Sequence, residues 1–163
     1  MGGSASFAPS LQRAYCTTTA TGTDANTTEK DLATFDLPAN LLFTNNAGVW
    51  LEAWGTTAAN GNTKTIKVYA AGTALVQNSV NTTPNNLGWM ARASIHRRGS
   101  GSQTSWATMV MSTAVQGTAV STLSANDTAA ITVKVTGQNG TGNANEITLQ
   151  GFCVYFVPPY PIW

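Results

Sequence analysis

The chain has 163 residues, a length that suits one domain with a sizeable core. Only 9% of the residues are charged, against about 25% in an average soluble domain, and the net charge is +1. The only basic cluster is Arg97-Arg98 beside His96, which excludes binding to nucleic acid through a basic stripe. No run of residues is apolar enough for a membrane helix or a signal peptide, so we expect a protein made and kept in the cytoplasm until it is used.

Threonine and asparagine supply the polarity that charged residues lack. The chain contains 26 Thr and 14 Asn. Threonine is β-branched and favours strands, whereas asparagine and glycine suit turns. The composition is therefore typical of an all-β protein. The scarcity of charge also leaves little repulsion between copies, which favours a chain that packs beside itself.

The first third of the chain predicts an arm followed by short strands. Residues 1–12 contain several glycines, serines and a proline, and they predict an extended arm. Residues 14–19 predict a first strand and residues 22–28 a polar loop. A short strand over 32–36 should end near Pro38. An apolar patch at 41–43 precedes an Asn-Asn turn.

Residues 47–72 predict one long β-hairpin. Val49, Leu51 and Ala53 alternate with bulky or charged residues, and the return segment 66–70 alternates in the same way. An Asn60-Gly61 dipeptide lies between the two segments, and it is the residue pair that two-residue hairpin turns favour. No candidate catalytic residues flank this segment, so it suggests a surface for binding.

The rest of the chain predicts further strands separated by turns. Residues 73–80 predict a short strand, and 88–98 pair with 104–113 around a Gly-Ser turn. Residues 129–136 should direct Ile131, Val133 and Val135 inward. A turn over 138–143 leads to a last strand over 145–157, which is apolar on both faces toward its end and should be covered on both sides.

About eight antiparallel strands without a helix predict an all-β sandwich or barrel, best described as a two-sheet jelly roll. An immunoglobulin-like sandwich is the alternative, but its Cys…Trp…Cys spacing is absent. The domain organisation that follows is an N-terminal arm over 1–12, a jelly-roll sandwich over 13–157 and a proline-rich extended tail over 158–163.

The two cysteines are far apart in the sequence, at Cys16 and Cys153. A single pair in a chain without a secretion signal favours two buried thiols. One disulfide bond is the alternative.

Candidate catalytic chemistry is scarce. The single histidine, His96, is expected on the outer face of a strand, and the sequence shows no Ser-His-Asp pattern around it. Asp24, Glu29 and Asp31 lie close together but lack calcium-loop spacing, so a solvated loop is expected. The sequence contains no phosphate loop, no metal-ligand cluster and no marked carboxylate pair. We therefore expect no enzyme activity, no catalytic residue, no metal and no cofactor.

The tryptophans admit two interpretations. Aromatic rings stack on sugars, and neighbouring Asn and Thr residues could hydrogen-bond a glycan. The alternative, favoured by their places within strands, is that Trp50, Trp54, Trp89 and Trp106 fill a core or a subunit interface.

Apolar residues in the arm and the tail are candidate partner contacts. Prolines keep the tail extended, and an exposed Ile-Trp ending would be an unfavourable apolar surface unless it packs on its own subunit or on a neighbour. The candidate contacts are Phe7, Pro9, Leu11, Tyr160, Ile162 and Trp163.

The layout of residues 30–157 resembles a group of bacteriophage virion proteins. The similarity lies in the Leu-Pro-Ala-Asn-Leu-Leu segment at 37–42, the Trp-Leu-Glu-Ala-Trp-Gly segment at 50–55, the Ala-Asn-Gly-Asn-Thr-Lys-Thr-Ile-Lys-Val-Tyr segment at 59–69 and the Trp-Met-Ala-Arg-Ala-Ser-Ile segment at 89–95. Jelly-roll modules of tail fibres, spikes, head fibres and capsid decoration proteins share this layout. The resemblance implies a homotrimer that assembles or attaches, and it carries over no catalytic residue.

Two functions compete within that resemblance. The first is a capsid decoration (cement) protein that binds the major capsid protein or other virion proteins. The second is a trimeric fibre, spike or tail-tip domain that binds a host glycan; the absence of a heptad run or collagen-like repeat favours the first. A lectin-like or cytokine-like jelly roll outside viruses is a third reading, and the missing signal peptide counts against it.

Overall fold

The computed structural model describes residues 12–80, 87–111 and 114–159, and these residues form eleven strands and no helix. The strands are β1 (Gln12–Thr17), β2 (Thr21–Gly22), β3 (Lys30–Leu37), β4 (Gly48–Thr57), β5 (Lys64–Ala70), β6 (Thr73–Val80), β7 (Gly88–Gly99), β8 (Ser102–Met111), β9 (Ala114–Leu123), β10 (Ile131–Asn139) and β11 (Ile147–Val157).

The strands form two antiparallel sheets that pack as a sandwich, as predicted. The large sheet has the order β1-β11-β4-β7-β8-β9, with β2 also paired to β11. The small sheet has the order β3-β10-β5-β6. Along the eleven described strands, the chain crosses between the sheets six times, from β2 to β3, β3 to β4, β4 to β5, β6 to β7, β9 to β10 and β10 to β11. This alternation is the jelly-roll arrangement, and the β8–β9 hairpin widens the large sheet by two strands.

Period-two alternation explains which residues lie between the sheets. Ile131, Val133 and Val135 of β10 are buried, as predicted, and so are Val49, Leu51 and Ala53 of β4. Leu and Val side chains from both sheets complete this core. The last strand, β11, has four consecutive buried residues at 151–154. Phe152 and Val154 lie toward the core, whereas Gly151 on the outward side is covered by the indole of Trp54.

The predicted hairpin over 47–72 is wrong. β4 pairs with β7 and β11 in the large sheet, whereas β5 pairs with β6 and β10 in the small sheet. Asn60 does not have the positive φ that a type I′ turn needs. The hairpin that does form joins β5 to β6 through Ala71 (φ 49°) and Gly72 (φ 76°).

A buried polar cluster joins the two connections that cross between the sheets at one end of the sandwich. Lys64 Nζ donates to Asn60 Oδ1 (2.7 Å), Asn60 O (3.0 Å) and Asn62 O (2.9 Å), and it lies 3.2 Å from Glu146 Oε2. Asn60, Asn62 and Asn143 donate their side-chain N–H groups to Glu146 Oε1. The connection after β4 is therefore fastened to the connection before β11.

Cys16 and Cys153 form a disulfide bond, so the expectation of two free thiols is wrong. The reason is strand register, since Cys16 of β1 lies directly opposite Cys153 of β11. Directly opposed residues of antiparallel strands lie about 4.5–5.5 Å apart at Cα, within the range that a disulfide spans.

Other strand boundaries differ from the sequence prediction by a few residues. The first strand begins at Gln12 and ends at Thr17, and the last begins at Ile147. β9 was not predicted at all. Its sequence is rich in Ser, Thr and Ala without a clear apolar alternation, which is why the pattern did not mark it.

Candidate functional site: the outer face of the large sheet

The outward side of the large sheet carries Trp106 and Val120, two of the three exposed large hydrophobic residues in the described part of the chain, together with several half-buried aromatic and apolar side chains. We call this surface the large-sheet face, and we define it by the residues that alternate with the buried ones in β4, β7, β8, β9 and β11. Its apolar members are Trp50, Trp54, Met90, Trp106, Val110, Val120 and Tyr155. Four cross-strand rows over five strands span about 20 Å by 20 Å.

One row of this face runs across five strands in direct register. Tyr155 of β11 lies opposite Trp50 of β4, and Trp50 lies opposite Ser94 of β7. Ser94 lies opposite Trp106 of β8, and Trp106 lies opposite Val120 of β9. Trp50 and Trp106 are therefore two strand spacings apart, about 10 Å, with the small Ser94 between them.

The four strand tryptophans do not share one environment. Trp89 is buried, and its indole N–H donates to Thr56 O at 3.3 Å. Trp50 and Trp54 are half-buried on the large-sheet face, and Trp106 is 39% exposed there. Of the four tryptophans that were predicted to fill a core or a subunit interface, Trp89 lies in the core and the other three lie on the outer face. Their burial in a subunit interface stays a prediction.

Two rings of this face lie across glycines of neighbouring strands. The indole of Trp54 occupies the position that a Cβ atom on Gly151 would need, and the imidazole of His96 does the same above Gly48. An aromatic ring can cover the backbone in this way only where the opposite residue has no side chain. His96 thus lies on the outer face of its strand, as predicted.

Polar side chains also lie on this face, among them Ser94, Thr104 and Thr122, together with one ion pair. Arg92 Nη2 lies 2.7 Å from Glu52 Oε1, and Arg92 Nε donates to the same oxygen at 2.8 Å. The two residues are directly opposed on β4 and β7. Their pairing leaves no uncompensated charge on this part of the face.

The outer face of the small sheet has the opposite character. Lys67 Nζ lies 2.6 Å from Glu29 Oε2, and Lys134 Nζ lies 2.7 Å from Asp31 Oδ1. Both ammonium groups also flank the ring of Tyr69, at 5.9 and 5.5 Å from its centroid. Threonines fill much of the remaining surface of these strands. The two outer faces of the sandwich therefore differ, since one is richer in aromatic and apolar side chains and the other in ion pairs.

These contacts shift the pKa of Glu29. Burial alone would raise the pKa of this carboxyl, but hydrogen bonds from Lys67 and Thr136 outweigh that effect and lower it. Glu29 is therefore held in its charged form beside Lys67.

A second anchored carboxylate fixes the turn between β7 and β8. Asp127 Oδ2 accepts from Arg97 Nε at 2.6 Å and from the backbone N–H of Gly101 at 3.4 Å. The Arg97 hydrogen bond lowers the pKa of Asp127 despite its burial. Arg97 also donates to Asn45 Oδ1 at 2.5 Å, which ties the turn to the loop before β4.

The acidic residues near the start of the chain do not converge on one site. Asp24 pairs with Lys30 at 2.6 Å, Glu29 pairs with Lys67, and Asp31 pairs with Lys134. Within residues 12–80, 87–111 and 114–159, no group of three or more His, Cys, Asp or Glu side chains could hold a metal ion. No helix long and apolar enough to cross a membrane occurs in that part of the chain.

The predicted partner contacts fall outside the described residues. They are Phe7, Pro9, Leu11, Tyr160, Ile162 and Trp163. The large-sheet face was not predicted as a unit. Alternation in β4, β7 and β8 groups its side chains strand by strand, but only strand order and register bring Tyr155, Trp50, Trp106 and Val120 into one row.

No family model matches this chain, and no curated protein matches it. Among solved structures, the CBM2 module of the evolved Dit of Lactobacillus casei BL23 phage J-1 is similar at 12% identity and a TM-score of 0.41, over 80% of this chain and 70% of that chain. The lectin UEA-II complexed with galactose is similar at 12% identity and a TM-score of 0.35, over 77% and 78%. Likenesses this distant carry no argument about function.

The geometry of the large-sheet face suits binding. The face is built on paired strands and exposes aromatic rings and methyl groups. The charges of Arg92 and Glu52 on this face compensate each other. A broad surface of this kind can be covered by another protein surface or by a flat, extended ligand. The fold and this face define the class of protein as an all-β jelly-roll sandwich with one apolar outer face.

Proposed function

We propose that this protein is a non-catalytic structural protein of a bacteriophage virion. In the particle it acts as a capsid decoration protein that binds the major capsid protein and stabilises the shell. The contrast between the apolar large-sheet face and the charged outer face of the small sheet carries this proposal. The resemblance of residues 30–157 to virion jelly-roll modules supplies the virion context.

The contrast between faces supports assembly because each face suits a different environment. Apolar side chains such as Trp106 (39% exposed) and Val120 (74% exposed) gain free energy when another surface removes them from water. The ion pairs of Lys67 and Lys134 keep the opposite face compatible with solvent. A module with these two faces can sit on a shell and present its charged side outward.

The proposal includes self-association as a homotrimer, assembled in the host cytoplasm and retained in the virion. The low overall charge favours contact between copies because it limits their repulsion. No nucleic acid, membrane, metal or cofactor takes part in the proposed function.

Binding to capsids that lack the protein tests the proposal. Purified protein should bind such capsids and raise the temperature at which they disassemble. Trp106→Arg, which places a charge on the large-sheet face, should weaken binding, whereas Thr132→Arg on the outer face of the small sheet should not. Quantitative mass spectrometry should find hundreds of copies per particle. Equal binding by both variants, or only a few copies per particle, would contradict the decoration role.

A second candidate function is a trimeric tail-fibre or spike domain that binds a host surface glycan. The row of Tyr155, Trp50 and Trp106 supports it, because two rings about 10 Å apart could stack on neighbouring units of an extended sugar chain. Saturable binding to host cells or to glycans, lost in Trp106→Ala and retained in Thr132→Arg, together with no binding to capsids, would favour this function.

A further inference from the structure

The two sides of the sandwich, where each sheet ends, differ in charge. One side is formed by β1 and β3, which carry Arg13, Lys30, Asp31 and Asp36. The other side is formed by β6 and β9, which lie near each other and contain neither a charged residue nor a proline. Edge strands usually carry charges, prolines or other features that prevent pairing with another chain. The β6/β9 side lacks both charges and prolines.

The strand β9 has an open hydrogen-bonding edge. Within the described part of the chain it pairs with β8 alone, and its other side ends the large sheet. A register shift opposite Met109 and Val110 disturbs its first residues, but residues 117–123 continue in regular register. Seven regular residues leave a row of backbone N–H and C=O groups that another strand can pair with.

We propose that β9 pairs antiparallel with β9 of a second copy, about a two-fold axis at Val120. In this register Ala119 lies opposite Ser121 of the second copy, and Gly117 lies opposite its Leu123. The residue numbers of opposed residues then differ by an even number. The core-facing side of one strand therefore continues as the core-facing side of the other. The pairing joins two large sheets into one and does not depend on the proposed capsid partner.

The exposed side chains near this edge indicate a second copy as the occupant. Val120 is 74% exposed and lies opposite Trp106, which is 39% exposed. Self-pairing at Val120 places two valines side by side between two tryptophans, so that the apolar row continues from one copy into the next. No like charges face each other in this pairing, whereas self-pairing of β3 would bring its charged residues together.

Disulfide crosslinking tests this register directly. Opposed residues of antiparallel strands lie about 4.5–5.5 Å apart at Cα, a distance that a disulfide spans. Val120→Cys should therefore give a covalent dimer under mild oxidation, seen on a non-reducing gel, because Cys16 and Cys153 are already bonded to each other. The matched control is Thr34→Cys, an exposed position on edge strand β3, which should stay uncrosslinked.

Light scattering supplies the second measurement. The pairing predicts a molar mass that is an even multiple of the mass of one chain. The particle should be a dimer if this pairing is its only contact, and a hexamer if the proposed homotrimer also forms. Val120→Lys should halve that mass while circular dichroism remains that of a folded β protein. Equal crosslinking of both cysteine variants, or a wild-type protein that is a plain monomer or trimer, would overturn the β9 contact. A plain trimer would leave the proposed virion function intact.

Discussion

The ammonium group of Lys64 and the carboxylate of Glu146 lie 3.2 Å apart, with side chains only 2% and 1% exposed. Lys64 begins β5 in the small sheet, and Glu146 immediately precedes β11 in the large sheet. The pair therefore joins the two sheets at one end of the sandwich. Buried charges are costly unless they are paired and hydrogen-bonded; here the two charges are paired and Glu146 Oε1 accepts three hydrogen bonds, whereas Oε2 has the ion pair alone.

Replacing Lys64 with methionine should destabilise the fold strongly. The variant keeps the side-chain length but leaves Glu146 buried without its cation, which typically costs about 3 kcal/mol or more. Urea unfolding followed by circular dichroism measures the free energy of unfolding. The matched control is Lys134→Met, whose ion pair with Asp31 is partly exposed and should contribute about 1 kcal/mol or less. Equal losses in the two variants would contradict the role of burial.

Stability should fall when the solution becomes acidic. Burial would raise the pKa of Glu146, but hydrogen bonds from Asn62, Asn60 and Asn143 outweigh it and lower the pKa from its ordinary value of 4.5. A lowered folded-state pKa gives stability that is present above the unfolded-state pKa and is lost as pH falls through the folded-state value.

Urea unfolding between pH 7 and pH 3 checks this prediction. The free energy of unfolding should change little down to about pH 5 and then decrease. In Glu146→Gln the free energy of unfolding should decrease less steeply with falling pH. Part of the decrease should remain, because the pKa values of Glu29 and Asp127 are also lowered. A free energy of unfolding that increases toward pH 3 would contradict a lowered pKa of Glu146 in the folded state.

Removing the disulfide should lower stability without changing the fold. The bond joins residues 137 positions apart, and the loss of loop entropy in the unfolded chain corresponds to about 5 kcal/mol for a loop of this length. The double variant Cys16→Ser, Cys153→Ser should unfold at lower urea, and wild-type protein in reductant should behave in the same way. If reductant destabilises the double variant as well, the effect has another origin.

Substitution of Gly151 should disturb the packing of Trp54. A Cβ atom at Gly151 overlaps the indole, so Gly151→Ala must displace the ring at a cost of about 1–2 kcal/mol. Tryptophan fluorescence should shift to longer wavelength as the ring moves into water. The control is Gly88→Ala, where an added methyl group meets nothing within 4 Å. Its free energy of unfolding and its fluorescence maximum should both stay unchanged.

Local patterns in the sequence predicted most strands and the faces of several. Alternation in β10 assigned buried residues correctly, and alternation in β4 separated the two faces of that strand, because a strand in a sandwich has one side toward the core. The same patterns could not assign partners. Residues 58–63 can cross about 10 Å between two sheets as readily as they can turn back within one, and an Asn-Gly pair does not decide between the two.

The large-sheet face and the disulfide were unpredictable for the same reason. Cys16 meets Cys153, and Trp50 lies between Tyr155 and Ser94, because of strand order and register set by the whole fold. No local signal in the chain records that β1 pairs with β11. The scarcity of charge favours contact with other surfaces, which stays a prediction, and it does not indicate which face carries the apolar side chains.

The disulfide has a mechanical consequence. It joins the first and last strands of the sandwich covalently, at Cys16 and Cys153. Tension applied between the residues before Cys16 and the residues after Cys153 passes through this bond and bypasses the 136 residues between them. The sandwich would then stay folded while the two ends of the chain are pulled, until the disulfide is reduced.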